Sequence, residues 1–349
     1  MSRLDDALAL VAVESVSRHE SAIATLVESR LRTNAALDVE RIGDNVVART
    51  TGFHSTRLLI AGHLDTVPGD ASTAQIVGDQ LRGVGACDMK GSVAVMVELA
   101  TNPAPRSVEV TWVFYAREEI AHSESGLTEI AELRPDLLVA DVAVLGEPTG
   151  GAVEAGCQGS LRMSIELRGT RAHTARPFTG RNAIHRLGAL LERVSNYQPR
   201  VVVIDGVQFV EQLQAVSVEG GVAANVVPDS ARCTLNHRVA PDRSRDQAVA
   251  WLEDYLRDCL EVGDVMEVVD WAPSAPPQMT NERLMTLARY TNQPVRGKVG
   301  WTDVATFAEL GMPATNFGAG DPLLAHRSDE FVTLQELDEY ARVLTEWLR

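Results

Sequence analysis

A chain of 349 residues, 45% hydrophobic and 23% charged, can bury a substantial core, and its length predicts two domains or one large domain with an insertion. A net charge of −16 argues against nucleic acid or an anionic membrane as partner, while a local pocket can still oppose the global sign for a small substrate. The four cysteines, Cys87, Cys157, Cys233 and Cys259, lack CxxC spacing, so neither a thiolate zinc site nor a disulfide framework is indicated.

In chain order, residues 3–14 and 20–33 show helical periodicity, with Ile23, Leu26, Val27 and Leu31 on one face of the second. The stretch Met1 to Glu14 is acidic and amphipathic, with no basic region ahead of an apolar core. No apolar run reaches the roughly 18 residues of a membrane span, so a soluble cytoplasmic protein is expected. Strands are expected at 39–42, 46–49 and 57–62, with a further one at 75–81 that leads into a glycine-rich turn. A helix over 92–101, a strand over 108–115, a helix over 127–133 and a strand over 142–145 follow. Alternating strands and helices are the pattern of a layered α/β domain. Lysine occurs only at Lys90 and Lys298, which reads as a compositional bias.

From about residue 156 the pattern changes. A strand at 161–168, a helix at 182–194, strands near 200–210, 214–219 and 231–239, a helix at 244–260 and a strand near 264–271 read as a ferredoxin-like βαββαβ unit. The proline-rich stretch 271–277 leads back to helices at 281–291, 302–310 and 334–348 and a strand at 313–318. Residues 156–272 therefore read as a domain inserted into a discontinuous one formed by 1–155 and 273–349.

Five stretches carry an imidazole or a carboxylate near the end of a predicted strand or the start of a helix: His63 with Asp65, Asp88, Glu118 with Glu119, Glu147, and His326. Ligands gather outside the carboxyl ends of strands in open α/β sheets. Two His and several carboxylates without Cys suit Zn²⁺ or a similar divalent ion. More candidate ligands than one ion needs points to two ions sharing a carboxylate. Adjacent glutamates point in different directions, so one can ligate while the other serves as general base.

These motifs, Gly62-His63-Leu64-Asp65-Thr66-Val67-Pro68, Gly85-Ala86-Cys87-Asp88-Met89-Lys90-Gly91, Glu118-Glu119, Gly146-Glu147-Pro148-Thr149 and the late His326, resemble the M20 family of dinuclear zinc aminoacylases and peptidases. The resemblance covers essentially the whole chain. It implies a zinc-exopeptidase-like layered α/β catalytic domain carrying an inserted ferredoxin-like lid and dimerisation domain, and two Zn²⁺ per subunit, with Co²⁺ able to substitute. His63 and Glu147 would bind one ion, Glu119 and His326 the other, and Asp88 would bridge them. Asp65 would orient His63, and Glu118 would be the general base and acid. A cis peptide is implied after Asp88.

In the inserted domain, Gly169-Thr170-Arg171-Ala172-His173 resembles the family segment that sends a His across a homodimer interface to stabilise an oxyanion, which makes His173 the candidate. Asn225 and Arg238 match positions that hold the substrate carboxylate, and Gly318 would line the pocket. The stretch from Tyr115 to Leu127 resembles the actinobacterial branch of N-succinyl-diaminopimelate-cleaving members. The implied reaction is hydrolysis of N-succinyl-LL-2,6-diaminopimelate to succinate and LL-2,6-diaminopimelate. N-acetylornithine, dipeptides and carbamoyl amides are rival substrates of the same metal chemistry, and a non-catalytic metal-binding scaffold is the rival of another class.

Two segments depart from many relatives: Ala116-Arg117 stands where Ser-Asp is common, and Trp301-Thr302-Asp303-Val304-Ala305 replaces a Ser/Thr-Asp-Gly-Arg type of segment. His19, His54, His122, His185 and His237 read as surface or locally bonded residues, and Cys87 as a packed neutral thiol. Arg162, Arg171, Arg176 and Arg181 read as either an anion patch or a solvated face.

Overall fold

Leu58, Leu59, Ile60 and Ala61 are fully buried, as a central strand covered on both faces requires. In the computed structural model, which describes residues 2–102 and 105–349, they form the strand Arg57–His63. It runs parallel to Glu109–Tyr115 on one side and to Val142–Leu145 on the other. The sheet has the order Leu37–Ile42, Asn45–Thr50, Glu109–Tyr115, Arg57–His63, Val142–Leu145, Ala314–Asn316, Glu154–Ala155, Arg296–Gly297. Its central strands therefore all point their carboxyl ends to one edge.

The helix Gly91–Thr101 is apolar nearly all round, and that composition fits its position: all but a few of its residues are buried. Helices Arg3–Val11, Ser21–Leu31 and Leu334–Trp347 pack against it. The last of these starts on a capping box, with Thr333 and Glu336 each accepting the other's backbone N–H. No helix among the described residues is long and apolar enough to cross a membrane.

The chain divides into two compact units: Met1–Gly156 with Pro277–Gly297 and Thr302–Arg349, and Cys157–Pro276 with Lys298–Trp301. The second unit thus extends beyond residue 272. Cys157 and Ala275 exchange both backbone hydrogen bonds, and Lys298 and Trp301 bond to Gln158 and Pro273, so both connecting segments are tied into it.

The second unit is an antiparallel sheet of order Gln212–Gly220, Ser230–Val239, Gly159–Arg168, Val265–Ala272. Leu161, Met163, Ile165 and Leu167 alternate inward from the third strand. They pack with Leu187 and Leu190 of helix Ala183–Ser195 and Leu252 and Leu256 of helix Arg245–Leu256. Strand order and the two intervening helices together give the ferredoxin-like arrangement.

Several expectations change in the structure. The strand at 75–81 is a hairpin of Gln75–Val77 and Gln80–Arg82, because Gly78 takes a left-handed φ of 65° and turns the chain. The stretch near 200–210 is likewise a hairpin, Val201–Ile204 with Val207–Val210, closed by Asp205-Gly206 with both φ positive. The helix at 302–310 contracts to Val304–Glu309. His237 is fully buried, lying 4.6 Å from the Trp251 ring and 3.8 Å from the Glu211 carboxylate. Of the four arginines Arg162, Arg171, Arg176 and Arg181, the first, second and fourth pair with Asp270, Asp229 and Glu261. Both lysines are buried, and Lys90 Nζ donates to the Val13 carbonyl at 2.8 Å.

Candidate metal centre

His63 closes its strand, Glu118 and Glu119 follow the strand Glu109–Tyr115, and Glu147 follows Val142–Leu145, so three adjacent parallel strands deliver their groups to one edge. Close packing below that edge excludes larger residues. A Cβ on Gly146 would lie 2.7 Å from the Met89 methyl and 2.8 Å from the Tyr340 hydroxyl. Asp88 arrives from the turn before helix Gly91–Thr101, and the Asp88–Met89 peptide is cis.

The two oxygens of Asp88 face opposite partners. Oδ1 lies 3.1 Å from His63 Nε2, and Oδ2 lies 3.4 Å from His326 Nε2. Glu147 Oε1 is 4.0 Å from the same His63 nitrogen, and Glu119 Oε1 is 2.9 Å from the His326 nitrogen. The donors form two sets, His63 with Glu147 and His326 with Glu119, sharing Asp88. Single donor atoms of His63, Asp88 and Glu119 lie within 4.8 Å of one another, which suits a divalent ion.

His63 Nδ1 lies 3.0 Å from the Asp65 carbonyl oxygen, to which the ring donates, so Nε2 is the nitrogen turned toward Asp88. The Asp65 carboxylate is farther from Nδ1, at 3.6 Å. That carboxylate is engaged elsewhere: Oδ1 accepts the Glu118 N–H at 3.0 Å, and Oδ2 accepts the Glu119 N–H at 3.1 Å and the Ser17 hydroxyl at 2.7 Å. Asp65 thus orients His63 mainly through its backbone and the paired glutamates through its side chain.

The cluster's charges are strongly coupled. Burial pushes the Glu118 carboxyl well above the usual carboxylate range, and Glu147 and Glu119 push the same way against His63. Burial also opposes the Asp88 carboxylate, but hydrogen bonds to His326 and His63 outweigh it and hold Asp88 well below that range. Hydrogen bonds to Asp88 and Glu119 raise His326 to about 10, and it sits at a left-handed φ of 65° that a non-glycine residue seldom adopts.

Residues 59–349 match the model of peptidase family M20/M25/M40. The chain belongs to this family. It is 46% identical over 342 residues to a putative succinyl-diaminopimelate desuccinylase of Mycobacterium tuberculosis, covering 97% of this chain and 96% of that one. It is 38% identical to a succinyl-diaminopimelate desuccinylase of Corynebacterium glutamicum, covering 97% and 94%. Among solved structures, a tripeptidase of Staphylococcus aureus aligns with a TM-score of 0.81 at 20% identity over 99% and 96% of the chains. A dinuclear metal-binding M20 peptidase of Bacillus subtilis aligns with a TM-score of 0.71 at 15% identity over 99% and 96%. These two likenesses establish the M20 fold.

Within the second unit of this M20 chain, strand Ala172–His173 pairs with Val226–Val227, which sets His173 beside Asn225. Both are exposed. His173 Nδ1 accepts the Ala175 N–H at 3.0 Å, so a neutral ring carries its proton on Nε2, where it can be donated outward. Arg238 lies on the opposite face of its strand from buried His237. Burial and nearby Arg162 lower its pKa, and among the described residues no carboxylate forms an ion pair with it. Gly318 is buried and its N–H donates to Thr149 Oγ1 at 3.2 Å, while a Cβ there would strike the carbonyl oxygens of Gly146 and Glu147. Its packing holds the Glu147 turn.

The departing segment acquires a physical role. Asp303 is fully buried, accepting from Thr306 Oγ1 at 2.5 Å and Ser125 Oγ at 3.2 Å, with His122 Nδ1 3.8 Å away. It ties helix Val304–Glu309 to the loop that follows the paired glutamates. Sequence reasoning also missed Glu20, whose carboxylate accepts the Arg117 N–H at 3.0 Å. Glu330 accepts Cys87 N–H at 2.9 Å and Asp88 N–H at 3.1 Å through one oxygen. No local periodicity marks either residue, since each acts on backbone far away in the chain.

Proposed function

We propose that this protein is a cytoplasmic, zinc-dependent amide hydrolase that cleaves N-succinyl-LL-2,6-diaminopimelate to succinate and LL-2,6-diaminopimelate, in lysine and cell-wall precursor synthesis. The observation that carries the chemistry is Asp88, with one oxygen toward His63 and the other toward His326. The near full-length likeness to the mycobacterial and corynebacterial relatives supports the substrate.

In this reading His63 and Glu147 would hold one zinc ion and His326 and Glu119 a second, with Asp88 shared between the two sets; Co²⁺ would suit the same donors. Ions held there supply Lewis-acid activation of water and of the amide carbonyl. Glu118, whose burial favours its protonated form and so suits it to pass a proton on, removes the proton from the attacking water. It then returns that proton to the leaving amine, so the base becomes the acid. Asp65 keeps the two glutamates apart by holding both their N–H groups. His173 donates its Nε2 proton to the oxyanion, and Asn225 and Arg238 bind the substrate's carboxylate.

A homodimer through the second unit accompanies this reading. Strand Gln212–Gly220 is a sheet edge with Val216 and Val218 more than half exposed, an unprotected surface that a second copy would cover. N-acetylornithine is the rival substrate with the same chemistry. The test is amine release from the succinyl compound and from N-acetylornithine, using zinc-loaded protein and its Glu118→Ala variant. Preferential cleavage of the succinyl compound, abolished in the variant, is expected. Cleavage of N-acetylornithine alone overturns the substrate, and an active variant overturns the base.

A further inference from the structure

Glu20 occupies the N-cap position of helix Ser21–Leu31, yet its side chain makes no cap to that helix. Ser, Thr, Asp or Asn would serve such a cap, and a glutamate there would ordinarily extend into solvent. Instead Glu20 is fully buried. Its Oε1 accepts the backbone N–H of Arg18 at 3.0 Å and of Arg117 at 3.0 Å. Both donors are non-glycine residues in the left-handed region, with φ of 75° and 63°. Such backbone is held only where its surroundings compel it.

Arg117 immediately precedes the paired glutamates. Three successive N–H groups, of Arg117, Glu118 and Glu119, are thus each received by a buried carboxylate oxygen, the first from Glu20 and the next two from Asp65. The two acceptors are joined through the same short segment, because Ser17 Oγ bonds Asp65 and Arg18 bonds Glu20. Further along, the Arg117 guanidinium bonds the Glu124 carbonyl at 2.7 Å and the Glu129 carboxylate at 2.6 Å. The left-handed turn at Arg117 sends Glu118 and Glu119 in different directions, and it is pinned from both sides.

We propose that Glu20 is a positioning residue for the reaction: by receiving the Arg117 N–H it sets the turn from which Glu119 reaches its ion and Glu118 reaches the water. This rests on the reading of Glu119 as ligand and Glu118 as base. Reach, not charge, is the property required of Glu20.

Two substitutions separate those properties. Glu20→Gln keeps the length and an oxygen acceptor but loses the charge; Glu20→Asp keeps the charge and withdraws the acceptor by one methylene. Each is titrated with Zn²⁺ after metal stripping and assayed for kcat and KM on N-succinyl-LL-2,6-diaminopimelate. Glu20→Asp should lose about 10–100-fold in kcat and in zinc affinity with KM little changed, the scale of lost support behind a metal ligand, while Glu20→Gln stays within about threefold of wild type. Wild-type behaviour of Glu20→Asp, or equal impairment of Glu20→Gln, overturns the proposal. If wild type leaves the succinyl compound uncut, the assigned reaction fails, and the zinc titration alone still decides the role of Glu20. Should Glu20→Asp not fold, it is repeated in an Arg117→Gly background, where glycine adopts the left-handed turn unaided. There its zinc affinity should match that of Arg117→Gly alone, and a tenfold or greater deficit overturns the proposal.

Discussion

Glu330 Oε1 accepts the backbone N–H of Asp88 at 3.1 Å, so a residue shortly beyond His326 holds in place the residue that faces both imidazoles. The same oxygen accepts the Cys87 N–H, and Glu330 is almost wholly buried. Removing it orphans two buried donors, at a cost of roughly 1–3 kcal/mol each. Glu330→Ala is expected to lower the thermal midpoint and to weaken zinc binding by about 10–100-fold, with Glu330→Gln recovering most of both. Melting curves and zinc titrations on the two variants check this; equal loss in both would mean that the charge matters more than the acceptor.

Glu118→Gln removes the proton acceptor while preserving shape. A fall in kcat of about 10²–10⁴-fold is expected, with metal content unchanged, because the ligands are other residues. Metal analysis of the purified variant separates loss of the base from loss of the ions.

Zinc binding should grow stronger as pH rises. With no ion bound, hydrogen bonds to Asp88 and Glu119 raise His326 to about 10, so at neutral pH the imidazole carries a proton that a ligated imidazole cannot keep. Binding therefore releases that proton, and affinity climbs with pH until about 10. Calorimetry in buffers of different ionisation enthalpy reads the release, and an enthalpy independent of buffer would contradict it. For the metal-free protein the sign is opposite. The raised His326 contributes stability that is complete below the unfolded value near 6.5 and is lost as pH rises through about 10.

The exposed edge strand gives a test of assembly. Val218→Lys places a charge on strand Gln212–Gly220 and should convert a dimer to a monomer in light scattering, since edge charge blocks strand pairing. If His173 acts across subunits, kcat on the succinyl compound falls with it. A monomer of full activity would remove His173 from the reaction.

The order of strands and helices, and the five stretches bearing His63, Asp88, the paired glutamates, Glu147 and His326, were legible in the sequence. All but His326, which sits in a turn between Asn316 and Phe331, lie beside an apolar run whose period announces a strand or helix, and neighbouring parallel strands must end at the same edge. The turns at Gly78 and Asp205-Gly206 were harder to see, because one or two residues reverse a chain without altering the hydrophobic pattern around them. His237 and Lys90 illustrate the same limit for polar residues: burial depends on what packs against a side chain, and His237 meets Trp251 only through the folded sheet and helix.

Only the tertiary structure decided how the chemistry is aimed. That Asp88 splits its oxygens between two imidazoles, that Asp65 spends its carboxylate on the backbone of Glu118 and Glu119, and that Glu20 and Glu330 hold Arg117 and Asp88 all depend on contacts between distant segments. Periodicity records which face of an element is buried, whereas a hydrogen bond from a side chain to remote backbone leaves no spacing in the sequence to read.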